Sequence, residues 1–153
     1  MKPTLFLRIA SVLALIHAVL HTIGGVFGKP EPGVAAMVVA TMQSNHFPVF
    51  GVTRSYADFY RGMGLGITIF LTMEALVFWL LASLARSDAA RLRPVLAVFA
   101  TGYLAFAVDS WLFFFSMPVI TELLIALCLG LAITTASHAE RRAVNARAGL
   151  KTA

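Results

Sequence analysis

Four long apolar stretches divide this chain, and short polar segments separate them. They run from Leu5 to Phe27, Phe59 to Ala85, Pro94 to Phe115 and Pro118 to Ala136. Each is close to or above the roughly 20 apolar residues a helix needs to cross a bilayer. Proline stands at the start of the third and fourth, where the first helical turn tolerates it. The link between those two, "FFFSMPVI", is short enough to predict a tight antiparallel helical hairpin. The first loop, residues 28–57, opens with the turn "GKPEPG" and continues as "VAAMVVATMQS". That run is apolar all round but too short to span, so it predicts an interfacial helix, either a cap or a lid over a pocket. The expected fold is all-α: an integral membrane four-helix bundle, one domain over residues 1–153, with a short interfacial helix in the first loop.

Composition strengthens the membrane reading. Hydrophobic residues make up 59% of the chain and charged residues 12%, against about 45–50% and about 25% in soluble domains. The single cysteine, Cys128, excludes an internal disulfide, a cysteine zinc site and a paired-thiol redox motif. Met1 to Arg8 followed by an apolar run has the layout of a signal peptide. It lacks a convincing small-residue cleavage motif, and its histidines fall where such a segment is purely apolar.

The net charge of +5 becomes informative through its placement. With four spans, Lys2, Arg8, Arg86, Arg91, Arg93, Arg141, Arg142, Arg147 and Lys151 share one side, and Lys29, Arg54 and Arg61 the other. The positive-inside rule then predicts cytoplasmic termini, an external loop 28–57 and a basic cytoplasmic tail 137–153. The tail is a topology determinant with access to anionic lipid. No nucleic-acid motif accompanies it, so no nucleic-acid partner is expected.

Polar residues inside the spans carry the candidate chemistry. They are His17, His21, Glu74, Asp109 and Glu122, with Asp58, Tyr60 and Arg61 at the outer edge of the second span. An acid at the centre of a membrane helix costs about 2.5–3.5 kcal/mol on insertion scales. The three acids are therefore expected to face the bundle interior, paired or protonated. At about 1.5 Å per residue, Asp109 lies about 9 Å below Phe115 and Glu122 about 6 Å below Pro118. Glu74 lies about 20 Å beyond Arg61 and so past the midplane. Ala10, Ala14, His17, His21 and Gly24 form one helical stripe, which turns the histidines inward. Gly62-xxx-Gly66 is a further close-packing signal. Asp58 and Arg61, three apart, are expected to pair at the surface. At least one of His17 and His21 is expected to bond Asp109 or Glu122, directly or through a water or ligand between them.

Two motifs have a familiar look. "LRIASVLALIHAVLHTIGG" and "GVTRSYADFYRGMGLG" resemble an uncharacterised family of small four-helix bacterial integral membrane proteins. That family shares the pattern HTxGG, then RSYxDFYxGxG, then an aromatic third-to-fourth hairpin like "WLFFFSMP". The matching positions are His21, Gly24, Gly25, Arg54, Tyr56, Asp58, Tyr60, Gly62 and Gly64. The resemblance implies a four-span protein of the bacterial inner membrane and implies no activity. A looser likeness in layout, to sterol isomerases and related membrane proteins, carries no function.

Two functions from different classes follow. In the first, a polar intramembrane pocket binds or acts on a lipophilic small molecule. His17, His21 and Glu74 are then the candidate catalytic acid–base groups, and Asp109, Glu122, Arg61, Asp58 and Tyr60 line the pocket. In the second, the protein is a non-catalytic interaction or structural protein, and the same residues only fasten helices. His17 and His21, four apart, also fit two ligands of one metal ion, with Glu74, Asp109 or Glu122 completing the set, as a subsidiary alternative. No cofactor is expected. Partners are membrane lipid and, in the first reading, the small molecule; four spans are few for a lone transporter, so transport requires a homo-oligomer.

Overall fold

The computed structural model describes residues 2–150, with side chains described through Ser137. The basic tail therefore lies largely outside the described side chains, and so does His138. Helix α1 spans Pro3–Leu20 and runs on into a π-turn, His21–Val26. Helix α2 spans Val34–Ser44. Strands β1 (His46–Val49) and β2 (Val52–Ser55) follow, then α3 (Tyr56–Asp88), α4 (Arg93–Phe113) and α5 (Ser116–Leu150).

Four of these helical segments are long and apolar enough to cross a membrane: Pro3–Val26, Tyr56–Asp88, Ala90–Phe113 and Ser116–Ser137. They coincide with the four apolar stretches of the sequence. Helix α2 has the bounds its apolar run predicts. Large apolar side chains stay exposed along every span, among them Ile16, Phe70, Leu80, Val98 and Leu127. Outward faces of this kind mark a membrane or partner surface rather than a water-facing one.

The fold is mostly helical, and a two-stranded β-hairpin that the sequence pattern does not predict is added to it. His46 pairs with Ser55, and Val49 with Val52, in antiparallel register. The two residues between, Phe50 and Gly51, have φ of 45° and 86°. Positive φ at both positions makes a two-residue turn of the type whose twist suits a hairpin. Pro48 donates no hydrogen bond, which an isolated two-stranded ribbon tolerates because each strand has a free edge.

The chain forms two compact units, residues 1–15 with 73–153, and residues 16–72. In the first, Leu7, Ala10, Ala14, Ala75, Phe78, Ala82, Leu96, Tyr103, Ile125 and Leu129 form one buried cluster. Alanines fill the α1 face of this cluster, as the small-residue stripe predicts. Phe78 is its largest fully buried side chain and meets Phe99 edge-on at 5.1 Å. Such packing holds membrane helices together where lipid removes much of the hydrophobic drive. Arg8 lies over the Trp79 ring at 5.1 Å.

Candidate functional site

The candidate residues fall into groups within each unit. In residues 16–72 the central feature is His21. Its Nε2–H donates to the Gly64 carbonyl oxygen at 3.0 Å. The π-turn makes room for this. Phe27 N–H reaches back five residues to Thr22 O at 3.1 Å, which widens the turn. The His21 ring lies over Gly25, where an added Cβ would meet Nδ1 at 3.3 Å. On the facing helix, a Cβ on Gly64 would meet Val26 at 3.0 Å and His21 Nε2 at 4.0 Å. His21, Gly25 and Gly64, all motif positions, thus form one close contact. Gly28 carries no side chain because a Cβ there would run into the Gly24 carbonyl oxygen.

Beside them, the Thr22 hydroxyl donates to Ala18 O at 2.6 Å and meets the Thr68 hydroxyl at 2.9 Å. Thr68 also lies 3.2 Å from Gly64 O. Each hydroxyl has one proton. With the Thr22 proton on Ala18, the Thr68 proton goes either to Thr22 or to Gly64. His17 is half-buried on the same stripe, and its Nδ1 is buried without a hydrogen-bond partner among the described residues.

Three expectations change here. The partner of His21 is a backbone carbonyl rather than Asp109 or Glu122. A methyl group added at Gly62 or Gly66 would meet nothing within 4 Å, so the close approach belongs to Gly64 alone of the three. The inward stripe holds through His21 but not to Gly24, which is exposed because the π-turn breaks the helical period.

In the unit of residues 1–15 and 73–153, acids meet hydroxyls. Tyr103 Oη–H donates to Glu74 Oε2 at 2.6 Å, linking α4 to α3. Ser110 Oγ–H donates to Glu122 Oε1 at 3.0 Å, linking α4 to α5. Ser11 Oγ–H donates to Ala75 O at 2.6 Å, linking α1 to α3. Glu122 is 5% exposed, and its Oε2 has no partner among the described residues.

Asp109 departs from the inward expectation: it is exposed, while its neighbour Ser110 is buried. Leu96, Tyr103, Ala107 and Ser110 form the buried face of α4, and one residue of offset turns a side chain about 100° away. Asp109 also sits four residues before the end of α4, about 6 Å along the axis. Sequence reasoning does not pick out Tyr103 and Ser110 as partners; their seven-residue spacing on one face is the available signal.

At the start of α3, Asp58 is exposed and its carboxylate closes on Ser55 rather than Arg61. Ser55 N–H donates to Asp58 Oδ2 at 2.8 Å, and Asp58 N–H donates to Ser55 Oγ at 3.1 Å. This reciprocal pair caps the helix, and "SYAD" is its sequence signature. Arg61 and Tyr60 are exposed. Phe47 packs on Tyr56 and Phe59 at 4.7 and 5.5 Å, fastening the hairpin to the helix start. So the RSYxDFY motif builds a cap and an aromatic clasp.

Among the described residues, no three His, Cys, Asp or Glu side chains come together to hold a metal. The metal alternative for His17 and His21 therefore has no third protein ligand there. No family model, curated protein or solved structure matches the chain.

The contact at Gly64 yields a test. Gly64→Ala forces Val26 to move by a few tenths of an ångström. We expect a loss of about 1–3 kcal/mol, the usual range for overpacking, in thermal unfolding in detergent. Gly62→Ala, in open space, should be silent. Equal effects at the two positions would show that the Gly64–Val26 approach is not the tight one.

Proposed function

We propose that this chain is a small multi-pass protein of a bacterial inner membrane whose buried polar side chains act as interhelical fasteners. The carrying observation is the Tyr103–Glu74 bond at 2.6 Å, which satisfies the deepest acid directly with a neighbouring helix. Ser110–Glu122 and His21–Gly64 follow the same logic, side chain to partner with no intermediary. An unpaired polar group in hydrocarbon costs several kcal/mol, so such pairs define which helix faces meet.

The Lys/Arg distribution supports cytoplasmic termini, with α2 and the hairpin outside. Cysteines introduced at Ser44 and Ser87, in a Cys128→Ala background, test this. A membrane-impermeant thiol reagent applied to intact cells should label position 44 and spare position 87. Labelling at position 87 would reverse the orientation.

A second reading, a pocket for a lipophilic molecule, is favoured by Oε2 of buried Glu122, which has no partner among the described residues. Native mass spectrometry of the detergent-purified protein separates the two. The fastener reading expects protein with lipid only. A non-lipid molecule bound stoichiometrically, and lost in Glu122→Gln at unchanged thermal stability, would replace it with the pocket reading.

A further inference from the structure

The hairpin ends in a residue that local rules disfavour. Phe50 occupies the left-handed region at φ 45°, where asparagine, aspartate or glycine is usual in this turn. For an ordinary L-residue that region is costly. Phe50 is also fully exposed, so burial against its own chain does not offset the strain.

Behind the tip lies an open cleft of about 440 Å³. Val49 and Val52 of the strands line it together with Phe59 and Met63 of α3, and Arg54 and Asp58 stand in its polar part. Phe59 and Met63 continue along α3 as the exposed Ile67 and Phe70. That helix is long and apolar enough to cross a membrane. The apolar surface of the hairpin is therefore continuous with the apolar face of a candidate span. β2 ends at Ser55 and α3 begins at Tyr56, so the tip lies only a few residues from the start of that span. The Arg54 guanidinium donates to the carbonyl of its neighbour Thr53, at 3.1 Å, and the Asp58 carboxylate stands in the same polar part of the cleft.

We propose that the His46–Ser55 hairpin is a lipid anchor: Phe50 inserts among the lipids at the membrane interface, and the apolar walls of the cleft behind it face the acyl chains. This rests on the membrane reading above. The strain at Phe50 then has a counterpart, because an aromatic ring gains free energy at a bilayer interface that an asparagine in the same turn does not.

The experiment is depth-resolved quenching. Phe50→Trp is made in a background of Trp79→Phe and Trp111→Phe and reconstituted into vesicles of phosphatidylcholine and phosphatidylglycerol. Lipids brominated on the acyl chains should quench the indole several-fold more strongly than aqueous iodide. Dominant iodide quenching would overturn the proposal, and so would protection from both quenchers, which means a protein covers the tip. Phe70→Trp in the same background is the reference. Lipid quenching there without quenching at position 50 defeats the anchor alone; failure at both defeats the membrane reading. Should the tryptophan variants not fold, Phe50→Cys carrying a nitroxide in Cys128→Ala provides the same comparison, with oxygen and a nickel chelate as the lipid and water probes.

Discussion

Glu74→Lys should abolish folding, whereas Glu74→Gln should leave a protein close to the parent in stability. The carboxyl group accepts the Tyr103 hydroxyl at 2.6 Å inside a half-buried setting. A glutamine carbonyl accepts the same hydroxyl, so the loss is the difference between two hydrogen bonds, on the order of 1 kcal/mol. Lysine offers the hydroxyl no carboxylate and carries a charge into the helix interior, at about 2.5–3.5 kcal/mol on insertion scales. Lost pairing and buried charge together approach the whole stability of a small domain. The measurement is the yield of monodisperse protein in detergent, then thermal unfolding of what survives. A collapse of Glu74→Gln would mean that the acid is an ionised anchor, whose charge and not only its hydrogen bond to Tyr103 holds the helices.

Phe78→Ala should produce the next largest effect. The ring is fully buried, with Phe99 edge-on at 5.1 Å and Tyr103 at 6.0 Å. Truncation leaves a void that two aromatic neighbours cannot fill without losing their own packing. The expected cost is about 3–5 kcal/mol, or a fall in Tm on the order of 10 °C. Phe78→Leu should lose less than half as much. Because Tyr103 packs on this ring, the alanine variant should also weaken the Tyr103–Glu74 bond, so Phe78→Ala and Tyr103→Phe should be less than additive. Strict additivity would uncouple the aromatic cluster from the polar pair.

The spans and the short helix are legible in the sequence because they depend on composition over many residues, and 59% hydrophobic content leaves little ambiguity. The small-residue face of α1 is legible for the same reason, since Ala10 and Ala14 repeat at helical spacing. Individual partners are not. Ser110 and Asp109 are adjacent, and which one points inward depends on the rotation of α4, which no single local signal sets. The acceptor for His21 is a backbone oxygen, and every residue has one, so the sequence does not single out Gly64 for it. The hairpin is hidden because its turn is Phe-Gly rather than Asn-Gly and because Pro48 interrupts the strand pattern. The capping pair, Ser55 and Asp58 three apart, has a sequence signature, but Arg61 stands at the same spacing on the other side of Asp58 and draws the reading away from it.

The π-turn after α1 has a consequence for how sequences of this kind tolerate change in length. Such a turn holds one residue more than an α-helical turn. Removing Gly24, which has open space around it, would let the helix close regularly and would swing every following residue back by about 100°. Gly25 would then leave the His21 ring, and Val26 would leave Gly64. A substitution in "HTIGG" disturbs one contact, but a single-residue gap there re-phases the whole exit from the helix. In any alignment of related chains, the segment from His21 to Gly28 should therefore vary in identity before it varies in length.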